Sequence, residues 1–376
     1  MKLSPETSPN YSYCLKYARG HTPRAPGATT NPHDHLDICY RKYTTKRPIS
    51  GQKLNLVFCH GNGMNKGIWH VLIDQLYGNY PQLNTVLAFD HAPYGDSALA
   101  NRTRLGPGFR WRDGAKDIAQ ATVAEPAFLD PNAINVIIGH SMGGCISLMV
   151  VEYEPRLFQG AIVINPVAVA DEAWVKRMEW YLPMLRKRGY LQDTIDTSSS
   201  PGPWVDQVLQ WFKTKSFYHR FDPQVLNNLV HDEVSGVYED DRSYSEIKFK
   251  TTTRAQEEGY ASSPSNALEA MTVYGSITVP IYHICGRQDT VRRGLVESLR
   301  RRVPVVEYVD VPGCFHLMHG EQPGITYEYV SGYIRKILAN PGERPITDKA
   351  TQAQFGDHYR EKYYEYRTEG FINGKL

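Results

Sequence analysis

The segment Gly139-His140-Ser141-Met142-Gly143-Gly144 sets a serine among glycines, after an apolar run and ahead of a helical stretch at 145–153. Glycines at these positions allow a sharp strand-to-helix turn that lifts the hydroxyl above a sheet edge, on strained backbone and at the positive end of a helix. Such a hydroxyl can attack a carbonyl carbon, provided a base takes its proton and a carboxylate orients that base. Of 13 histidines, His316 in Val311-Pro312-Gly313-Cys314-Phe315-His316 is best placed, directly after the last expected strand and before a helix starting near Glu321. His319 is the nearest competitor. Asp289, in Cys285-Gly286-Arg287-Gln288-Asp289-Thr290, follows another expected strand and supplies the carboxylate, with Asp171 as second choice. The Gly-rich exit His60-Gly61-Asn62-Gly63 can aim the Asn62 N–H at an oxygen above Ser141, with the Met142 N–H as second donor. Losing one such donor typically costs about 3–4 kcal/mol of transition-state stabilisation.

Other groups have plainer explanations. His60 and His140 read as braces that bond backbone within their turns. His33-Asp34-His35 has no third spaced ligand and reads as a solvated loop, so no metal site is expected. Asp90-His91-Ala92-Pro93-Tyr94-Gly95-Asp96-Ser97 has the composition of a tight turn built by side-chain to backbone bonding.

The elements that would position Ser141, Asp289 and His316 read as an α/β fold. Short apolar runs at 54–60, 85–90, 133–139, 161–165, 280–285 and 305–309 alternate with stretches of helical period, which predicts a mostly parallel sheet flanked by helices. Residues 36–43 alternate as an antiparallel edge strand, and the first 35 residues, rich in Pro, Thr and Asn, read as irregular. The alternation breaks at 171–275, which holds four of the six tryptophans and the turn-forming run Ser198-Ser199-Ser200-Pro201-Gly202-Pro203. This segment reads as an inserted helical cap. The expected organisation is therefore a core at 1–170 and 276–340, the cap at 171–275, and a charged tail at 341–376.

At 376 residues the chain is long for a single small core. A formal net charge of +2, from 42 Lys plus Arg against 40 Asp plus Glu, gives no field favouring nucleic acid or anionic lipid. The start lacks the apolar region of a secretory signal, and no run approaches the ~18 apolar residues of a membrane span. Six cysteines without a CxxC pair read as reduced thiols in an intracellular protein.

These features resemble the α/β-hydrolase superfamily, whose chain order of nucleophile, acid and histidine matches Ser141, Asp289, His316. More narrowly, Leu54-Asn55-Leu56-Val57-Phe58-Cys59-His60-Gly61-Asn62-Gly63-Met64, Gly95-Asp96-Ser97, Asn101-Arg102-Thr103-Arg104-Leu105-Gly106 and Val136-Ile137-Ile138-Gly139-His140-Ser141-Met142-Gly143-Gly144 are similar to yeast peroxisomal lipases and related fungal hydrolases, some serving toxin biosynthesis. The likeness is good over residues 20–170, moderate from His316 to Pro323, and slight in the cap. Asn165 stands at an alternative acid position and cannot act as a carboxylate.

The resemblance implies a cofactor-free serine hydrolase of small carboxylic or thio esters with an apolar acyl part. Two alternatives stay open: a biosynthetic thioesterase or carbon–carbon bond hydrolase with the same triad, and a ligand-binding protein that no longer turns over. The terminal Gly374-Lys375-Leu376 resembles the S-K-L peroxisomal address, which implies an import receptor as partner and a matrix location, with the cytoplasm as alternative.

Overall fold

The computed structural model describes residues 8–199, 202–236, 244–291 and 294–341. The tail and its Gly374-Lys375-Leu376 lie outside the described residues, as does part of the 198–203 turn. Along the chain run β1 (Tyr11–Arg19), β2 (Asp37–Thr45), β3 (Lys53–Cys59), α1 (His70–Asn79), β4 (Leu83–Phe89), α2 (Gly95–Ala100), α3 (Trp111–Val123), β5 (Ala133–His140), α4 (Met142–Tyr153) and β6 (Gly160–Ile164). There follow α5 (Glu172–Lys187), β7 (Thr194–Asp196), α6 (Trp204–Lys215), α7 (Pro223–Glu233), β8 (Val234–Ser235), β9 (Glu246–Phe249), α8 (Thr253–Ala261) and α9 (Ser263–Met271). The chain then returns through β10 (Ile281–Gly286), α10 (Val296–Arg300), β11 (Val305–Val311), α11 (Met318–Glu321) and α12 (Pro323–Ala339).

Eight strands form one sheet in the order β1-β2-β4-β3-β5-β6-β10-β11, antiparallel from β1 to β4 and parallel from there onward. Every residue of β5 is buried, as expected of a central parallel strand covered on both faces. The period-two pleat sends Leu54, Leu56 and Phe58 of β3 into an apolar layer with α1, α7 and α12, while Val57 and Cys59 enter the opposite layer with α3, α4 and α9. Helix α4 is apolar on nearly every side from Met142 to Val151, the stretch in which every residue is buried.

The amino-terminal expectation is corrected. Residues 11–19 are not irregular: they form β1, which pairs antiparallel with all nine residues of β2. Consequently β2 is an interior strand, and β1 and β11 are the edges. An edge strand needs only one buried face, and β1 buries Tyr11 while leaving Leu15 and Tyr17 about half exposed. Between β6 and β10, helices α5–α9 come with a three-stranded sheet of order β7-β9-β8, which helical periodicity does not reveal.

The turn from Asp90 to Ser97 does bond its own backbone: Asp90 Oδ2 accepts from the Asp96 N–H, and the Ser97 hydroxyl donates to Asp90 O. It also holds something the composition does not announce. Lys66, fully buried, places its ammonium 2.8 Å from Asp90 and 2.5 Å from Asp96, with Asp232 of α7 at 3.8 Å. Arg41 of β2 bonds Asp232 at 2.6 Å, and Lys250 bonds Asp96 at 2.7 Å. Three cations thus meet three carboxylates, joining the sheet to the 172–271 segment. Burial alone would lower the Lys66 pKa, but Asp232, Asp90 and Asp96 outweigh it and hold the ammonium well above its ordinary range. Burial likewise opposes the Asp232 charge, and Arg41, Lys66 and Lys250 together keep that carboxylate below its usual range. Cys39, Asp90 and Asp96 have the mutual spacing of a metal site, yet the Lys66 ammonium already bonds both carboxylates there.

Removing one partner from such a cluster leaves uncompensated buried charge. Lys66→Met should therefore lower the unfolding free energy by about 3–5 kcal/mol. Urea melts read this directly, and a loss below ~1 kcal/mol would show that the cluster is not a structural linchpin.

Candidate active site

The turn from β5 into α4 puts Ser141 at φ 55°, ψ −117°, a conformation that L-residues rarely adopt. The packing around it accepts nothing larger than glycine. A Cβ on Gly139 would lie 2.3 Å from Gly143 O, and one on Gly143 would lie 2.3 Å from Cys59 O at the end of β3. Ser141 N donates to Ile164 O of β6, while Ser141 O accepts from Val167 N, so the turn is bonded to the neighbouring crossover on both sides. Its hydroxyl is thereby held at the carboxyl edge of the sheet.

His316, in the loop after β11, places Nε2 3.0 Å from Ser141 Oγ and Nδ1 2.9 Å from Asp289 Oδ2. A carboxylate only accepts, so Nδ1 bears the proton and Nε2 accepts the serine hydroxyl. Asp289 comes from the loop after β10, its side chain sealed from solvent, with Oδ1 accepting from Val291 N at 2.9 Å. Ser141 and Asp289, 148 positions apart, and His316, 27 positions beyond Asp289, thus join one hydrogen-bonded chain. Asp171, the second choice for the acid, is elsewhere occupied: it caps α5 by accepting from Trp174 N at 2.8 Å.

His319 does not compete for the serine. It is 3% exposed, its ring stacked 3.8 Å from His140 and 5.0 Å from Trp69, and burial with His316 and His60 nearby pulls its pKa down to about 3. His60 donates from Nδ1 to Gly61 O, and burial pushes its pKa to about 3 as well. His140 donates from Nε2 to His316 O at 2.8 Å. Burial, reinforced by His319 and His316, keeps His140 well below the ordinary histidine range and hence neutral.

Sequence reasoning set Asn165 aside for lacking a carboxylate, and its role is different. Fully buried at φ 42°, it donates from Nδ2 to Phe315 O and His316 O and accepts from Gly286 N through Oδ1. Asn165 and His140 together fasten the His316 backbone over the ends of β6 and β10. A non-glycine residue prone to positive φ directly after a strand was the available signal.

The Gly61-Asn62-Gly63 loop lies against the serine: a Cβ on Gly61 would approach Ser141 Cβ to 3.2 Å. Its bonds reach α8, Tyr94 in the turn after β4, and Tyr218. Asn62 Nδ2 donates to Gln256 O of α8, Asn62 Oδ1 accepts from the Tyr94 hydroxyl, and Gly63 O accepts from Tyr218. Among the described residues, no acceptor takes the Asn62 or Met142 N–H.

Asn62, Ser141, Met142 and His316 all border a cavity of about 460 Å³. Trp174, Met178, Tyr181, Phe217 and Tyr260 wall its other side, so the segment between β6 and β10 closes an aromatic chamber over the serine. The His33-Asp34-His35 run does not line this chamber and is partly exposed in the loop before β2. All six cysteines are free thiols, and five are buried. No helix among the described residues is long and apolar enough to cross a membrane.

Comparison with known proteins agrees with this architecture. The chain is 28% identical to the peroxisomal membrane protein LPX1 of Saccharomyces cerevisiae over 337 residues, 85% of this chain and 86% of that protein. The solved structure of the peroxisomal alpha-beta-hydrolase Lpx1 from the same yeast superposes with a TM-score of 0.78 at 25% identity, covering 95% of this chain and 99% of that one. A shorter match, 29% identity over 154 residues, links 39% of the chain to 34% of the type I acyl-CoA thioesterase mpaH' of Penicillium brevicompactum. Residues 56–328 match the model of one family throughout, and the chain therefore belongs to the alpha/beta hydrolase family.

Proposed function

We propose that the protein is a serine hydrolase of carboxylic or thio esters with an apolar acyl group. The observation behind this reading is the unbroken Asp289–His316–Ser141 hydrogen-bond chain ending in an aromatic-walled cavity. In this mechanism His316 Nε2 takes the proton as Ser141 Oγ attacks the carbonyl carbon. Asp289 holds the imidazolium that results, and the tetrahedral oxyanion is met by the N–H groups of Asn62 and Met142 at the start of α4. Collapse expels the alcohol or thiol, protonated by His316, and leaves an acyl group on Ser141. A water activated by the same imidazole then releases the acid. The 171–275 segment acts as a cap, excluding bulk water and enclosing the acyl part. No step calls on a metal or organic cofactor.

A fluorophosphonate probe tests the nucleophile. The wild-type protein should label and Ser141→Ala should not, with turnover of p-nitrophenyl octanoate falling about a millionfold. Labelling that survives in Ser141→Ala would put the nucleophile at another residue, and an unreactive wild-type protein that still binds esters would favour the non-catalytic reading. The likeness to a fungal acyl-CoA thioesterase supports thioesters as a second substrate class. Parallel assays of octanoyl thioesters and oxygen esters decide which is preferred.

The yeast relative, named a peroxisomal membrane protein, supports the organelle, and the likeness of Gly374-Lys375-Leu376 to a receptor-read address supports import into its matrix as the proposed route. An amino-terminal fluorescent fusion expressed in yeast should give puncta that coincide with a peroxisomal marker and become diffuse when the last three residues are deleted. Puncta that persist after the deletion would exclude that triplet as the address.

A further inference from the structure

Among the described residues that line the cavity, Arg177 of α5 is the one permanently charged side chain, and no carboxylate lines it. Its guanidinium is held from two directions. Nη1 donates to Thr290 O at 2.7 Å and Val291 O at 3.0 Å, and the group lies 5.8 Å from the centre of the Trp174 ring. A guanidinium has five N–H donors, and these two bonds engage only one of its nitrogens. Among the described residues no acid pairs with it: the nearby Asp289 carboxylate is taken by His316 and by Val291 N. Arg177 and Trp180 are exposed, whereas Ser141, Met142 and Trp111 are buried, so the cation stands at the mouth and the serine at the floor.

We propose that Arg177 is a specificity-determining residue that receives an anionic group, carboxylate or phosphate, on the part of the substrate farthest from the scissile carbonyl. This deepens the hydrolase reading above and rests on it. Recognition of planar or tetrahedral oxyanions by a guanidinium fork is strong because both hydrogen bonds are charge-assisted. Here the side chain is already fixed against the 290–291 backbone, so little rotamer freedom remains to be lost when the anion arrives. The surrounding aromatic walls hold the apolar middle of the substrate, and a positive rim then separates an acyl compound bearing a remote charge from a neutral one of equal length.

The anion can belong to the acyl end or to the leaving group, and two substrate pairs separate these sources. The first compares mono-p-nitrophenyl suberate with p-nitrophenyl octanoate. The second compares octanoyl-CoA with octanoyl-N-acetylcysteamine. For each pair, the ratio of kcat/KM between charged and neutral member is measured in the wild-type protein, Arg177→Met and Arg177→Lys. In at least one pair, Arg177→Met should lower this ratio by about tenfold, through KM, and Arg177→Lys should recover part of it. A pair responding identifies the side of the substrate that bears the charge. A role confined to tying α5 to the 290–291 loop would alter both members alike, so ratios unchanged in both pairs would overturn the proposal. Should the wild-type protein turn over none of the four compounds, the hydrolase reading fails, and binding decides the rest. The same compounds titrated into Ser141→Ala, with and without Arg177→Met, should then show a charged member bound about tenfold more weakly without the arginine. Equal affinities would reject the anion site.

Discussion

The structure turns on one strained residue. Ser141 occupies a backbone conformation that costs an L-residue about 1–3 kcal/mol, and it persists only because its surroundings leave no alternative. β5 and β6 are joined through the Ser141 N–H, the start of α4 and the next crossover are joined through its carbonyl, and Gly143 abuts the end of β3. The central parallel strands and the buried helix behind them are therefore the means by which a single hydroxyl is held out over the sheet edge. Every other group at the site is arranged relative to that fixed point.

The loop after β11 meets this point by being fastened through its main chain. Asn165 and His140 both bond the carbonyl of His316, leaving the imidazole free to span Asp289 and Ser141. The neighbouring rings of His140, His319 and His60 are driven toward the neutral form by burial. His319 packs, and His140 and His60 supply oriented donors, without placing a second cation beside the imidazolium that the proposed mechanism forms. The site position that could have held a carboxylate instead holds an amide that acts on the histidine's backbone.

Much of this was legible in the sequence, because the signals were local. Glycines around Ser141, a Gly-rich loop after β3 and short apolar runs at regular intervals each reflect one element's own geometry, and they located the sheet, Ser141, Asp289 and His316. What escaped was settled by partners far away in the chain. β1 was read as irregular from its Pro- and Asn-rich flanks, although Tyr11, Tyr13, Leu15 and Tyr17 alternate as a half-exposed edge strand does. Lys66 opens the short 3-10 helix Lys66–Trp69, and only folding brings Asp90, Asp96 and Asp232 around it. Arg177 and the aromatic walls belong to the segment between β6 and β10, where side-chain direction depends on how the helices pack over the serine.

The central claim is that Ser141 is the atom-level nucleophile and that the Asn62 and Met142 N–H groups face the developing negative charge. A crystal structure of the protein after reaction with an alkyl phosphonate ester tests both parts at once. The account predicts a bond from phosphorus to Ser141 Oγ, with the phosphonyl oxygen within hydrogen-bond distance of both N–H groups. Phosphorus on any other side chain, or an oxygen directed away from those donors, would contradict it.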